Sequence, residues 1–222
     1  MDTFTTPRAV SLPSGRDRLV AQLSLASAVA AVGLGVLHAL SRYRTEDGAS
    51  DLDLATTRVW AEPADDLLGP LLGWGDPDLV YVTYGKLWLP VFVLFTAAAF
   101  LAHRRRAPRG FEKWVWRVVL AGYVGACVSV FGEYWTQWTA EPNALLDIVF
   151  LASIPFVLVT MLGSTVLGVT LLVKGYRPRS TAALLALAVP GLLVIPMFVS
   201  LGSIVLPLAF AWALAARHAV LR

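Results

Sequence analysis

The chain has 222 residues, of which 57% are hydrophobic and 15% are charged, and its formal net charge is +3. A soluble domain is usually about 45–50% apolar and about 25% charged, so this composition excludes an ordinary soluble globular protein. The apolar residues form blocks long enough to cross a bilayer core about 30 Å thick. They predict an all-α integral membrane protein, because a helix satisfies its own backbone hydrogen bonds in lipid.

The first apolar block, residues 19–41, predicts transmembrane helix TM1. It is longer than the apolar core of a signal peptide, about 7–15 residues, and is therefore expected to be retained. Residues 42–78 form the longest polar segment, hold nine of the fifteen acidic residues and predict a long acidic outer loop. The apolar patch at 65–74 inside this loop is too short to cross the bilayer, so an interfacial helix or a re-entrant turn is expected there.

Further apolar blocks complete a helical bundle of about six transmembrane helices in a single membrane domain, residues 1–222. They predict TM2 at 79–102, TM3 at 114–138, TM4 at 146–173, TM5 at 181–199 and TM6 at 203–219. The last two are separated by a turn at 200–203, because one helix over 181–220 would be about 60 Å long, twice the thickness of the bilayer core.

Two residue patterns inside the spans predict how the helices bend and pack. Proline removes a helical hydrogen bond and predicts kinks, and the spans contain Pro90, Pro155, Pro196 and Pro207. Small residues four positions apart let two helix backbones approach closely. TM3 has this spacing at Gly122 and Ala126, and TM4 has it at Ser164 and Gly168.

The distribution of charge predicts the orientation of the bundle. Fourteen of the eighteen Lys and Arg residues, but only three acids, fall on the side of the N-terminus. Because basic residues remain in the cytoplasm, both termini are predicted to be cytoplasmic. The basic net charge then follows from topology, with the lipid bilayer as the partner of these residues, and nucleic-acid binding is not predicted. Fifteen arginines against three lysines suggest GC-rich codons, hence a prokaryotic source and a cell-membrane location.

Several polar side chains fall at one depth in the predicted outer half of the bundle. Charged groups inside a span are costly, so each is a functional hypothesis. The candidate ligand-binding residues are His38, Tyr84, Lys86, Glu133 and Gln137, with Tyr81 and Tyr134 near the same level. They predict a polar pocket open to the outside, with Lys86 and Glu133 as an ion pair. The competing hypothesis is a structural pair near the interface, because lysine can extend its ammonium group to water.

Three functions remain open at the level of sequence. A non-catalytic structural or accessory protein, with another membrane protein or a second copy of the chain as partner, is favoured. The alternatives are binding or transport of a small or lipidic ligand through the polar pocket, and an enzyme that uses Glu133 or His38 as general acid or base on a lipid-linked substrate. The three histidines fall on different helices, and the sequence has no metal-ligand spacing, nucleotide-binding loop or hydrolase motif. Catalytic residues, metals and cofactors are therefore not predicted.

Overall fold

The computed structural model describes residues 14–137, 144–199 and 201–221, and the regular elements in these ranges are all helices. The α-helices are α1 (Gly15–Tyr43), α2 (Ala55–Leu72), α3 (Pro77–Lys86), α4 (Trp88–Arg106), α5 (Phe111–Val130), α6 (Ala144–Val173), α7 (Arg179–Ala186), α8 (Ala188–Val194) and α9 (Leu206–Leu221). Short helical turns lie at Ala49–Asp53, Phe131–Trp135, Ile195–Met197 and Leu201–Val205. Helix α9 packs against α1, α4 and α7, and α5 packs against α6.

The predicted membrane bundle of about six helices is confirmed. Five segments are long and apolar enough to cross a bilayer, namely Gly15–Tyr43, Pro77–Arg106, Phe111–Trp135, Leu146–Val173 and Gly202–Leu221. The pair Arg179–Ala186 and Ala188–Met197, bent by 49°, makes a sixth span if it crosses as one unit. The direction of insertion stays a prediction, so we name the two ends of the bundle by their charge. The acidic end holds residues 42–78. The basic end holds residues 103–110 and 174–179.

Some helix limits differ from the predicted ones for local reasons. Helix α1 begins at Gly15 rather than 19, because Ser14 and Asp17 form a reciprocal capping box. The acidic loop contains the 18-residue helix α2, which is longer than the predicted apolar patch and continues through Pro63 and Pro70. The predicted end of TM3 at residue 138 and the start of the predicted turn at residue 200 lie outside the described residues.

Two prolines break the spans at their fourth preceding residue. Proline has no N–H and its ring collides with the carbonyl of residue i−4, which ends a helix there. Pro90 follows the end of α3 at Lys86 by four residues, as the sequence predicts, and Pro190 follows the end of α7 at Ala186 by four. The carbonyl of Lys86 instead accepts a hydrogen bond from the indole Nε1 of Trp135 at 3.1 Å. Pro90 therefore removes the helical donor of this carbonyl, and Trp135 replaces it.

The other predicted kinks are milder. Pro155 lies inside the continuous helix α6, and Pro196 lies in the short turn Ile195–Met197. Pro207 is the second residue of α9, a position where the missing N–H would have no helical partner. Pro90 therefore interrupts a span, whereas these three do not.

Two buried carboxylates hold the basic end together. Asp17 at the start of α1 accepts hydrogen bonds from Arg104 and Arg105 at the end of α4. At the start of α5, Glu112 has a side chain only 3% exposed, and it pairs with Arg106 of α4 at 3.0 Å and with Lys174 after α6 at 2.9 Å. Four basic side chains are thereby committed to two acids. These ion pairs fasten α1, α4, α5 and α6 at one level.

A fully satisfied polar network lies in the middle of the bundle. The Tyr123 hydroxyl of α5 shares a hydrogen bond of 2.7 Å with the Ser164 hydroxyl of α6. It also accepts one of 2.9 Å from the indole Nε1 of Trp212 in α9. All three side chains are completely buried. The network links three helices without leaving these polar groups unpaired in an apolar core.

Gly168 allows α6 and α7 to touch through their backbones. A Cβ atom at Gly168 would overlap the backbone nitrogen of Ala186 and lie 2.7 Å from the carbonyl oxygen of Ala182. We expect Gly168→Ala to lower the free energy of unfolding by about 1–3 kcal/mol, because backbone atoms cannot rotate away as a side chain can. Thermal unfolding of the purified protein in detergent measures the change.

Gly33→Ala in α1 is the matched control, because no atom lies within 4 Å of its would-be Cβ atom. It should be neutral or stabilising by up to about 1 kcal/mol, the helix preference of alanine over glycine. Equal melting temperatures for the two variants would contradict the close contact between α6 and α7.

Candidate functional site: a buried polar cluster

Five side chains from separate elements lie close together in the acidic-end half of the bundle. They are His38 of α1, Tyr81 of α3, Trp88 of α4, Tyr134 of the turn Phe131–Trp135, and Ser203 of the turn Leu201–Val205. We name this set the His38 cluster. His38, Trp88 and Ser203 are buried, whereas Tyr81 and Tyr134 are half-buried and form its outer boundary.

Interruptions of regular helix bring these side chains together. The break before Pro90 separates Tyr81, on α3, from Trp88, the first residue of α4. The turn Phe131–Trp135 is π-helical, with a wider winding than the α-helix before it, and it carries Tyr134. Single π-helical turns inside α-helices often occur at functional sites. The cluster is therefore located where three of the spans depart from straight α-helical geometry.

Aromatic rings enclose the imidazole of His38 on three sides. The Tyr81 ring is stacked on it with a centroid distance of 4.7 Å and an interplanar angle of 27°. The rings of Tyr134 and Trp88 meet it edge-on at 5.7 Å and 6.2 Å. The hydroxyls of Tyr81 and Tyr134 lie 3.4 Å apart. These contacts fix the plane of the imidazole. Its two nitrogen atoms can then form hydrogen bonds only within that plane.

The polar atoms at the centre of the cluster have no protein partner within the described part of the chain. This holds for both ring nitrogens of His38, for the indole Nε1 of Trp88 and for the hydroxyl of Ser203. The three residues are 2%, 2% and 1% exposed, so bulk water does not reach them either. A buried polar group without a hydrogen bond costs about 1–3 kcal/mol, and most buried polar atoms in native structures have a partner.

Two of the unpartnered atoms, Nδ1 of His38 and Nε1 of Trp88, lie beside Gly202 in the turn before α9. A Cβ atom on Gly202 would lie 3.2 Å from Nδ1 of His38 and 3.3 Å from Nε1 of Trp88. The Ser203 hydroxyl faces Gly35, one turn before His38 on α1, at 2.9 Å from the would-be Cβ position there. Glycine at 202 and 35 thus allows the backbone to approach these polar groups closely.

Ion pairs of the acidic end secure the helix that carries His38. Arg42, one turn after His38, pairs with Asp51 at 3.0 Å, and Arg44 makes two hydrogen bonds of 2.9 Å to the carboxylate of Asp65 in α2. Helix α2 also packs on the end of α1 through an apolar contact that includes Tyr43. The acidic loop therefore covers the end of α1 as an ordered layer.

The structure shows contacts of Tyr84, Glu133 and Gln137 with residues outside the His38 cluster. The Tyr84 hydroxyl donates to the carbonyl of Leu71 at 2.7 Å, and its ring packs with α2. Lys86 is buried at the end of α3, while Glu133 lies beside Ser153 of α6. The side chain of Gln137 donates to the backbone carbonyl of Glu133. A pair between Lys86 and Glu133 is not among the ion pairs that the structure shows for its described residues.

Sequence reasoning missed Trp88, Gly202 and Ser203 as members of the site. Trp88 stands two residues before the proline that breaks TM2, and Gly202 and Ser203 stand in the predicted turn between TM5 and TM6. The proline and the predicted turn both indicate irregular backbone at the depth of the His38 cluster. Tyr81 and Tyr134, predicted near that level, are in contact with His38. In the ranges that the structure covers, no group of three or more His, Cys, Asp or Glu side chains could hold a metal ion.

Gly85 provides a test of the cluster that leaves its polar groups intact. A Cβ atom at Gly85 would overlap the ring of Tyr134, which is itself held between His38 and Tyr81. We expect Gly85→Ala to lower the free energy of unfolding by about 1–3 kcal/mol, because the ring cannot move without disturbing its two neighbours. Gly75→Ala, whose nearest atom would be a methyl group of Val80 at 3.9 Å, serves as the control. Similar thermal unfolding of the two variants would show that Tyr134 does not occupy this position.

Comparisons with family models, with curated proteins and with solved structures found no match to this chain. Roles for His38, Trp88 and Ser203 are therefore inferred from their own geometry and chemistry. The arrangement offers a protected set of hydrogen-bonding groups in an apolar setting, next to two tyrosines at its boundary.

Proposed function

We propose that this protein is a non-catalytic membrane protein that binds a small or lipidic ligand at the His38 cluster. The observation that carries the proposal is a group of unpartnered buried polar atoms: those of His38 and Trp88 lie beside Gly202, and Ser203 is the next residue in the chain. Such atoms lose the hydrogen bonds they make to water in the unfolded chain, and a bound ligand can replace those bonds. In the predicted orientation, this half of the bundle lies on the outer side of a cell membrane.

The proposal rests on a contrast between the His38 cluster and a buried polar network elsewhere in the bundle, whose groups are paired. Tyr123, Ser164 and Trp212 are as deeply buried as the cluster, yet their polar atoms bond to one another. The hydroxyl of Thr160 on α6 also lacks a described partner, but it lies against Gly122 of α5. A group of such atoms facing one region is a stronger indication of a ligand than a single one.

The chemistry of the cluster favours an uncharged oxygen as the group that is bound. A neutral imidazole has one donor and one acceptor, the indole N–H is a donor, and the serine hydroxyl can do either. The five cluster members include no carboxylate, ammonium or guanidinium group, and the guanidinium of Arg42 beside Tyr81 is paired with Asp51. A hydroxyl or carbonyl of an apolar molecule fits these groups, and the aromatic rings around them suit an adjoining hydrocarbon segment.

The two other functional hypotheses receive different support. His38 and Glu133 make no hydrogen bond to each other, since Glu133 lies beside Ser153 of α6, so the geometry does not favour an acid–base pair. An accessory role as a partner of another membrane protein is favoured by the wide apolar faces of α1 and α6, which are the least buried of the spans. Lipid covers such faces equally well, so this role is the second candidate.

A ligand probe with a hydroxyl-bearing head group tests the proposal. We expect 1-decanoylglycerol to raise the melting temperature of the protein purified in lauryldimethylamine oxide, a detergent without hydroxyl groups, because a ligand that binds only the folded state stabilises it. At a ligand concentration of 100 times Kd, binding raises the free energy of unfolding by about 2.7 kcal/mol. Decane, which has the same chain length but no oxygen atom, should have no effect.

Matched tryptophan variants connect that result to the site. Trp88→Phe removes a buried N–H that has no described protein partner and should abolish the stabilisation. Trp114→Phe changes an indole that is 64% exposed and should leave the stabilisation unchanged. Equal responses of the two variants, or no response of the unaltered protein, would reject ligand binding at the His38 cluster and favour the accessory role.

A further inference from the structure

An open cleft lies at the basic end, on the opposite side of the bundle from the His38 cluster. It has a volume of about 410 Å³ and is lined by Arg177, Pro178, Arg179 and His218. Arg177 and Pro178 belong to the turn between α6 and α7, Arg179 is the first residue of α7, and His218 lies in the last turn of α9. The cleft is thus formed where three helices end at the same side of the membrane.

The charge of this cleft is not neutralised within the described ranges. The nearby basic residues Arg106 and Lys174 are paired with the buried carboxylate of Glu112, and Arg104 and Arg105 are paired with Asp17. Arg177 and Arg179 are exposed and have no such acidic partner in the part of the chain that the structure describes. Two guanidinium groups therefore face the cleft with their hydrogen-bonding capacity available to an anion.

The position of the cleft relative to the spans indicates where the anion comes from. Helix α6 ends at Val173, which is 83% exposed, four residues before Arg177, and Leu221 near the end of α9 is 74% exposed. Apolar side chains that are exposed on membrane helices contact acyl chains. An anionic group in the cleft would lie at the depth of the lipid head groups, with hydrocarbon beside it.

We propose that this cleft binds the phosphate group of an anionic phospholipid. Arginine presents a planar fork of N–H donors that matches two oxygens of a phosphate, and its charge persists at all physiological pH values. The first turn of α7 begins at Arg179 and has no side-chain cap, so its N–H groups add to the positive potential at the edge of the cleft. A basic pocket between membrane helices on the cytoplasmic side is a common site for such head groups.

The binding of short-chain lipids to the purified protein measures this site directly. Native mass spectrometry in detergent compares dioctanoyl phosphatidylglycerol with dioctanoyl phosphatidylcholine at the same concentration. The protein should bind the anionic lipid at least tenfold more tightly, and replacing both arginines, Arg177→Gln with Arg179→Gln, should remove that preference. Inorganic phosphate at the same concentration should not displace the lipid; displacement would overturn the assignment to a lipid and indicate a site for free anions.

A control with the same change of net charge distinguishes the cleft from the basic surface as a whole. Arg109→Gln with Lys113→Gln removes two exposed basic residues from the same end but outside the cleft, and should change the affinity less than threefold. An equal loss in both double variants would overturn the proposal in favour of diffuse attraction. The substitutions Arg177→Lys and Arg179→Lys retain the charge and the fold while removing the fork, and together should weaken the preference at least threefold. Full retention by these lysine variants would contradict phosphate recognition by the guanidinium groups.

Discussion

A polar atom inside a membrane bundle has no water to bond, and this constraint organises the whole molecule. Pro90 leaves the carbonyl of Lys86 without its helical donor, and the indole of Trp135 donates to it at 3.1 Å. In the other broken span, the backbone N–H of Val189 donates to the hydroxyl of Thr165 at 3.0 Å. At both breaks a side chain from another helix thus supplies a hydrogen bond, as the low dielectric environment demands.

The same constraint gives the two ends of the bundle different roles. At the basic end, Asp17 and Glu112 are buried only because four cations surround them, and these pairs connect the ends of the helices. At the acidic end, arginines of α1 pair with acids of the covering layer, and the His38 cluster lies beneath that layer. The cluster brings together several described polar groups without partners, which is why the proposed binding role is assigned there.

Hydropathy was sufficient to predict the spans, because the thickness of the bilayer sets the length of each apolar block. It could not predict the start of α1, which depends on the capping box of Ser14 and Asp17, nor the full length of α2, which continues through Pro63 and Pro70. The tertiary contacts of α2 with α1 outweigh its poor helix propensity.

The candidate site shows which information a sequence pattern carries and which it lacks. Counting residues from a helix end gives the depth of a side chain, and His38, Lys86 and Glu133 were assigned to one level on that basis. It does not give the direction around the helix axis, which the break at Leu87 and the π-helical turn Phe131–Trp135 both alter. Tyr134 consequently contacts His38 while its neighbour Glu133 lies beside Ser153.

A high-resolution experimental map of the protein in lipid nanodiscs tests the central claim most directly. The account predicts non-protein density within about 3.5 Å of Nδ1 of His38 or Nε1 of Trp88, at hydrogen-bonding distance from the atoms that lack a described protein partner. Density that is larger than a water molecule would be the bound ligand. A map in which His38, Trp88 and Ser203 all bond to protein groups, with no density between them, would contradict it.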